Sequence, residues 1–82
     1  MKHMNAEKLE QLNNLIAEVF EVEKGSVTPD TKFMEDLDSS SLKRMVIVAE
    51  LEELCGVTLS AAKIKFMTTV SELYEALKDW LQ

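Results

Sequence analysis

The stretch Phe33-Met34-Glu35-Asp36-Leu37-Asp38-Ser39-Ser40-Ser41-Leu42 decides how this chain is read. Its first eight residues end a segment, Val27 to Ser40, with no helical or strand periodicity. Pro29 excludes a helix before it, and Thr28, Asp30 and Thr31 are turn formers. Phe33 and Leu37 are expected to pin this loop to a core. So long a structureless connection in a small domain is uncommon and often functional, so it directs attention to the segment at its C-terminal end.

That segment is a predicted helix from about Ser41 to Cys55, with Ser39 or Ser40 as its cap and Gly56 as its stop. Its apolar residues do not make one stripe. At about 100° per residue, Leu42, Met45, Val46 and Ala49 gather on one side, while Ile47, Leu51 and Leu54 gather on the other. A helix apolar on two sides is either buried on both or offers one to a partner, and the small size of this domain favours docking.

On the N-terminal side, Leu9, Leu12, Leu15, Ile16, Val19 and Phe20 recur at spacings of three and four, giving a first helix. Asn5 is its expected cap, Glu7 sits in its first turn, and Gly25 is expected to close the segment. On the C-terminal side, Val57 to Leu59 reads as an extended bridge and Ala61 to Lys65 as a brief helical turn. A last helix starts at Thr69, where Thr69 and Glu72 have capping-box spacing. Its stripe is Val70, Leu73, Tyr74, Leu77 and Leu81, and Trp80 closes the end. The expected fold is all-α: three main helices plus one short one, with a long loop between the first two. Met1 to Met4, holding the only histidine, His3, read as a loose or vector-derived start before a single domain over 5–82.

The composition agrees with one soluble domain. The 82 residues are 46% hydrophobic and 29% charged, which suits a packed chain rather than a disordered one. A lone Cys55 cannot make an internal disulfide, so stability must come from packing, and a free thiol suits a reducing compartment. The net charge of −6 argues against nucleic acid, whose phosphates demand clustered Lys and Arg. It fits either a basic partner surface or simple solubility. No apolar run approaches the roughly 20 residues that span a membrane, and there is no signal-peptide core. A cytoplasmic monomer is expected.

Side-chain chemistry is sparse. A nucleophile needs a base, and the only histidine lies in the loose start. Cys55 has apolar sequence neighbours and reads as a core residue. Asp36, Asp38 and Ser40 alternate like the start of a calcium loop, but Ser41 takes the position that needs Gly and Ile47 the one that needs a bidentate Glu. No metal site is expected. Ser41, where the loop meets a helix N-terminus, lies among backbone N–H groups that favour an anion. By position alone it reads equally as a cap.

The stretch from Phe33 to Leu42 resembles the acyl carrier protein family, whose pattern is Phe, two residues, Asp-Leu-Gly, one residue, then Asp-Ser-Leu entering the second helix. Val27-Thr28-Pro29, Leu51-Glu52-Glu53, Gly56-Val57-Thr58-Leu59-Ser60 and Thr68-Thr69-Val70 extend the likeness over about residues 9 to 80. The resemblance implies that a phosphopantetheinyl transferase places a covalent 4'-phosphopantetheine arm, taken from coenzyme A, on Ser41. Leu37 and Leu42 set that register. The arm would carry acyl or aminoacyl groups as thioesters to loading and processing enzymes of fatty-acid, polyketide or related biosynthesis. The chain itself would be no enzyme. Partners would read the second helix through Leu42, Met45, Val46 and Ala49, with Asp36 and Asp38 beside them. The alternative is a carrier-like interaction module that is never modified.

Two departures stand out. The family's Asp before the modified serine is Ser40 here, which removes a charge that helps present the serine to its transferase; Asp36 and Asp38 are candidate substitutes. The Gly after Asp-Leu is Asp38. In addition, Lys43, Arg44 and Val46 stand where a fatty-acid carrier shows acidic or neutral polar residues. That suggests a dedicated partner set, as in a polyketide or nonribosomal peptide pathway. The plainer reading has Lys43 and Arg44 balancing Glu50 and nearby acids.

Overall fold

The computed structural model describes residues 4–82; the expected loose start, including His3, otherwise lies outside the described residues. Met4, assigned to that start, is half-buried and packs against the core. Among the described residues there are five helices: α1 (Ala6–Phe20), α2 (Ser41–Cys55), α3 (Ala61–Lys65), α4 (Val70–Ala76) and α5 (Lys78–Leu81). Among the described residues no strand forms, and the only extended pairing is an isolated antiparallel bridge between Lys32 and Thr69.

α1 begins where Asn5 Oδ1 accepts from the Glu7 and Lys8 amides at 3.0 and 3.1 Å. Its expected stripe turns inward: Leu12, Ile16 and Phe20 are buried, joined by Ala17. The helix ends at Phe20, not near Gly25. Glu21 adopts φ 59°, and the Val22 amide donates to the Ala17 carbonyl at 3.0 Å. This is a Schellman stop made without glycine, while Gly25, at φ 89°, serves a later turn.

The last helix is also divided. Thr69 starts it as expected, with Glu72 Oε2 accepting from the Thr69 amide at 3.0 Å and the Thr68 amide at 2.7 Å. At Leu77 the backbone leaves helical geometry, with φ −107° and ψ 14°. The Leu77 amide donates to both the Leu73 and Tyr74 carbonyls, a tightened turn that separates α4 from α5. The expected stripe survives the break, for Val70, Leu73, Tyr74, Leu77 and Leu81 are all buried. The two ends of the domain are tied together. The Asn5 amide donates to the Leu81 carbonyl, and Lys8 Nζ donates to the Trp80 carbonyl at 3.0 Å while lying 5.4 Å from the Trp80 ring centre.

The connection from Glu21 to Ser40 has structure of its own. Val27, Phe33 and Leu37 enter the core, and the Phe33 ring meets Phe20 edge-on at 6.0 Å. Three backbone bonds stitch the loop to the start of α4: Phe33 N to Thr68 O, Val70 N to Thr31 O and Ser71 N to Pro29 O, at 2.9–3.1 Å. Anchored by side chains and backbone alike, the loop delivers the chain to α2 at a set position.

Candidate functional site

The site is built at the junction of this loop and α2. Asp36 Oδ2 accepts from the Lys32 amide at 2.8 Å, and the Asp36 and Leu37 amides donate to the Lys32 carbonyl. This closed turn buries Leu37 and leaves Asp36 and Asp38 exposed. Asp38 then takes φ 49°, the left-handed region that Asp and Asn tolerate better than most residues. The position where the family pattern has Gly is therefore one where a positive φ is required. The Ser39 amide returns to the Phe33 carbonyl at 3.0 Å.

The three serines, indistinguishable as caps in the sequence, have three different roles. Ser39 is buried, and its Oγ has no hydrogen-bond partner among the described residues. Ser40 is the cap: it is extended, at φ −95° and ψ 166°, and its Oγ accepts from the Lys43 amide at 3.2 Å. Ser41 is the first helical residue and is exposed. Its hydroxyl caps nothing and accepts one hydrogen bond, from Arg44 Nη2 at 3.2 Å.

The plainer reading, in which Lys43 and Arg44 balance Glu50 and nearby acids, holds in part for Lys43, which pairs with an acid other than Glu50, and not for Arg44. Arg44 folds back over the helix start, with Nη1 donating to the Ser39 carbonyl at 3.0 Å. Lys43 reaches Glu21 at 3.6 Å, linking α2 to the end of α1. The helix has no acid in its first turn, while Lys43 and Arg44 both lie there or just beyond it. That arrangement favours a bound anion.

The two-sided character of α2 is realised, except that Leu54, expected on the inner side, is only half-buried and does not join the core. Ile47 and Leu51 are fully buried, with Val48 half-buried beside them. On the other side Leu42 is 71% exposed, Met45 62% and Val46 40%, and Ala49 is exposed as well. Two further exposed apolar residues, Met34 and Phe66, were not singled out from the sequence. Met34 was detectable, since it lies between loop anchors whose spacing turns it outward. Asp36 and Asp38 are both exposed, but the Asp36 carboxylate is committed to its turn.

Among the described residues nothing else gathers into reactive chemistry. Cys55 is half-buried, and burial pushes its thiol up, partly opposed by the charge of Lys8, a cation the sequence neighbourhood did not reveal. A thiol held protonated is a poor nucleophile. Among the described residues no cluster of His, Cys, Asp and Glu has metal-binding geometry, and no helix is long and apolar enough to cross a membrane.

The family described as "phosphopantetheine attachment site" matches residues 10–77. Polyketide-8 synthase acyl carrier protein 2 of Streptomyces avermitilis is 41% identical over 72 residues, covering 88% of this chain and 83% of that protein. An acyl carrier protein of Treponema pallidum is 37% identical, covering 84% and 88%. One from Lactobacillus acidophilus is 32% identical, covering 84% and 86%.

Proposed function

Because this chain belongs to the acyl carrier protein family, which bears a covalent 4'-phosphopantetheine and has no catalytic activity of its own, we propose that Ser41 carries the arm and that the exposed side of α2 presents it to partners. The observation that carries this reading is the division of labour among the serines. Ser40 does the capping, which leaves the Ser41 hydroxyl exposed and uncommitted to the helix, with only Arg44 upon it.

The residues present fit the group. A phosphodiester on Ser41 Oγ would be held by the Arg44 guanidinium at the positive end of α2, and no carboxylate lies in the first turn. When bound, the arm supplies a thiol that carries acyl or aminoacyl groups as thioesters. The chain's own residues do the rest. The loop anchors Phe33 and Leu37 fix where Ser41 emerges, and Ser40 keeps the first turn wound. Leu42, Met45, Val46 and Ala49 offer an apolar face for transient docking, with Asp38 as an exposed charge at its approach.

The partners we assign are a phosphopantetheinyl transferase and the enzymes that load and process the acyl group, met by a cytoplasmic monomer. A specialised pathway fits better than housekeeping fatty-acid synthesis. Lys43 and Arg44 make the start of the docking helix basic, which selects against partners that present basic patches. The polyketide-synthase carrier among the relatives points the same way.

The test is intact-protein mass after incubation with coenzyme A and a broad-specificity phosphopantetheinyl transferase. A gain of one phosphopantetheine in the wild type, absent in Ser41→Ala, is the expected result. A Ser41→Ala variant that is still modified, or a wild type that no transferase modifies, overturns the assignment.

A further inference from the structure

Arg44 has no carboxylate within 4.0 Å among the described residues, where the ion pairs are Lys32–Glu35, Lys43–Glu21 and Lys78–Glu75. It lies one turn into α2, near the helix's positive end, where a cation is disfavoured. Yet its guanidinium is not released to solvent. Nη1 is held by the Ser39 carbonyl at 3.0 Å and Nη2 by Ser41 Oγ at 3.2 Å. A cation without a counter-ion, fastened beside the one hydroxyl expected to become a phosphodiester, is a half-built anion site.

We propose that Arg44 is the arm's resident counter-ion, a positioning residue that grips the phosphodiester once Ser41 is esterified. The proposal rests on reading Ser41 as the attachment residue. Esterification replaces the Oγ–H bond by an Oγ–P bond. The pyrophosphate bond of coenzyme A breaks, adenosine 3',5'-bisphosphate leaves, and the hydroxyl proton passes to solvent. The bridging oxygen would be the Ser41 Oγ that Nη2 already meets, and the two non-bridging oxygens, which share the diester's single negative charge, would lie on the phosphorus attached to it. The guanidinium carries five N–H donors, of which two are used here, and its planar fork suits two phosphate oxygens together. The Ser39 carbonyl keeps the rotamer in place, so little further ordering is needed. Ser40 contributes as well. With no carboxylate at that position, Arg44 has no competing anion next to the serine. The arm would then leave the surface from a neutralised, oriented root, and a partner would not need to supply a cation there.

The experiment compares apo and holo forms of wild type, Arg44→Gln and Arg44→Lys, with Ser41 loading first verified by mass. Thermal midpoints and the phosphorus-31 resonance of the arm are then measured at low and high salt. For wild type the holo form is expected to melt about 2–4 °C above the apo form at low salt. The gain should shrink in ~1 M salt, where the Debye length is about 3 Å. In Arg44→Gln the holo–apo difference should vanish and the phosphorus resonance should move, with Arg44→Lys between. Comparing apo with holo inside each variant cancels any general effect on folding. Equal holo–apo differences and an unmoved resonance in Arg44→Gln overturn the counter-ion role while leaving attachment intact. Failure of wild type to load removes the attachment reading itself.

Discussion

Replacing Ser40 tests the geometry of the attachment junction most directly. Its Oγ makes the only side-chain cap bond of α2, to the Lys43 amide at 3.2 Å. Loss of a serine cap costs about 1 kcal/mol, with a range of roughly 0.5–2. For a domain of this size that is about 4–8 °C in the thermal midpoint. Ser40→Asp keeps an acceptor and adds a negative charge at the helix start, worth about 0.3–1 kcal/mol at low salt. The expected order of stability is therefore Asp, Ser, then Ala, and the Asp advantage should fade as salt is added. Ser39→Ala should behave in the opposite way to Ser40→Ala. It removes a buried hydroxyl without a partner, so stability should be unchanged or raised by up to about 1 kcal/mol. The assay is thermal and urea unfolding of the apo proteins, combined with initial rates of Ser41 loading. Ser40→Ala should load more slowly because the first turn frays. A midpoint for Ser40→Ala within about 1 °C of wild type would refute the reasoning, since α2 would then hold its first turn, and Ser41 in it, without this cap.

Leu42→Ser and Met45→Ser should change stability by less than about 0.5 kcal/mol, because both side chains are mostly exposed. Each should nonetheless raise the transferase KM by about tenfold if it anchors docking, and steady-state loading kinetics at unchanged kcat would register this. The thermal midpoint should fall at alkaline pH. Burial raises the Tyr74 phenol above its ordinary value. Its contribution is therefore complete below about pH 10 and is lost as pH rises through the raised folded value. Cys55 adds a loss of the same sign from a lower starting pH. Tyr74→Phe should flatten the upper part of the profile, at a cost near neutrality of about 1 kcal/mol for its hydrogen bond to Asn13.

Features that rest on periodicity or on apolar anchors were legible in the sequence. The two faces of α2, the core stripes of α1 and α4, and the loop pins Phe33 and Leu37 all derive from spacing and hydrophobicity. Features that depend on the path of the backbone were not. Glu21 stops α1 in a left-handed conformation that sequence reasoning assigns to glycine, so Gly25 was a misleading signal. The turn at Leu77 contains neither Gly nor Pro to announce it. The separation of Ser39, Ser40 and Ser41 required the loop's closure onto Phe33, which turns the first serine inward and the next two outward. Arg44 was read as a surface charge because its acceptors, a loop carbonyl and the serine hydroxyl, exist as a pair only once that closure is made.

The bond from Asn5 to Leu81 and the contact of Lys8 with Trp80 make this domain a nearly closed ring of chain. Entry and exit share one point, so joining residues 4 and 82 by a short linker asks little of the fold. New ends could then be cut at Glu23-Lys24-Gly25, an exposed turn remote in sequence from the serine junction. The same architecture lets the domain be threaded into a longer polypeptide as a side loop, with its α2 face still turned outward.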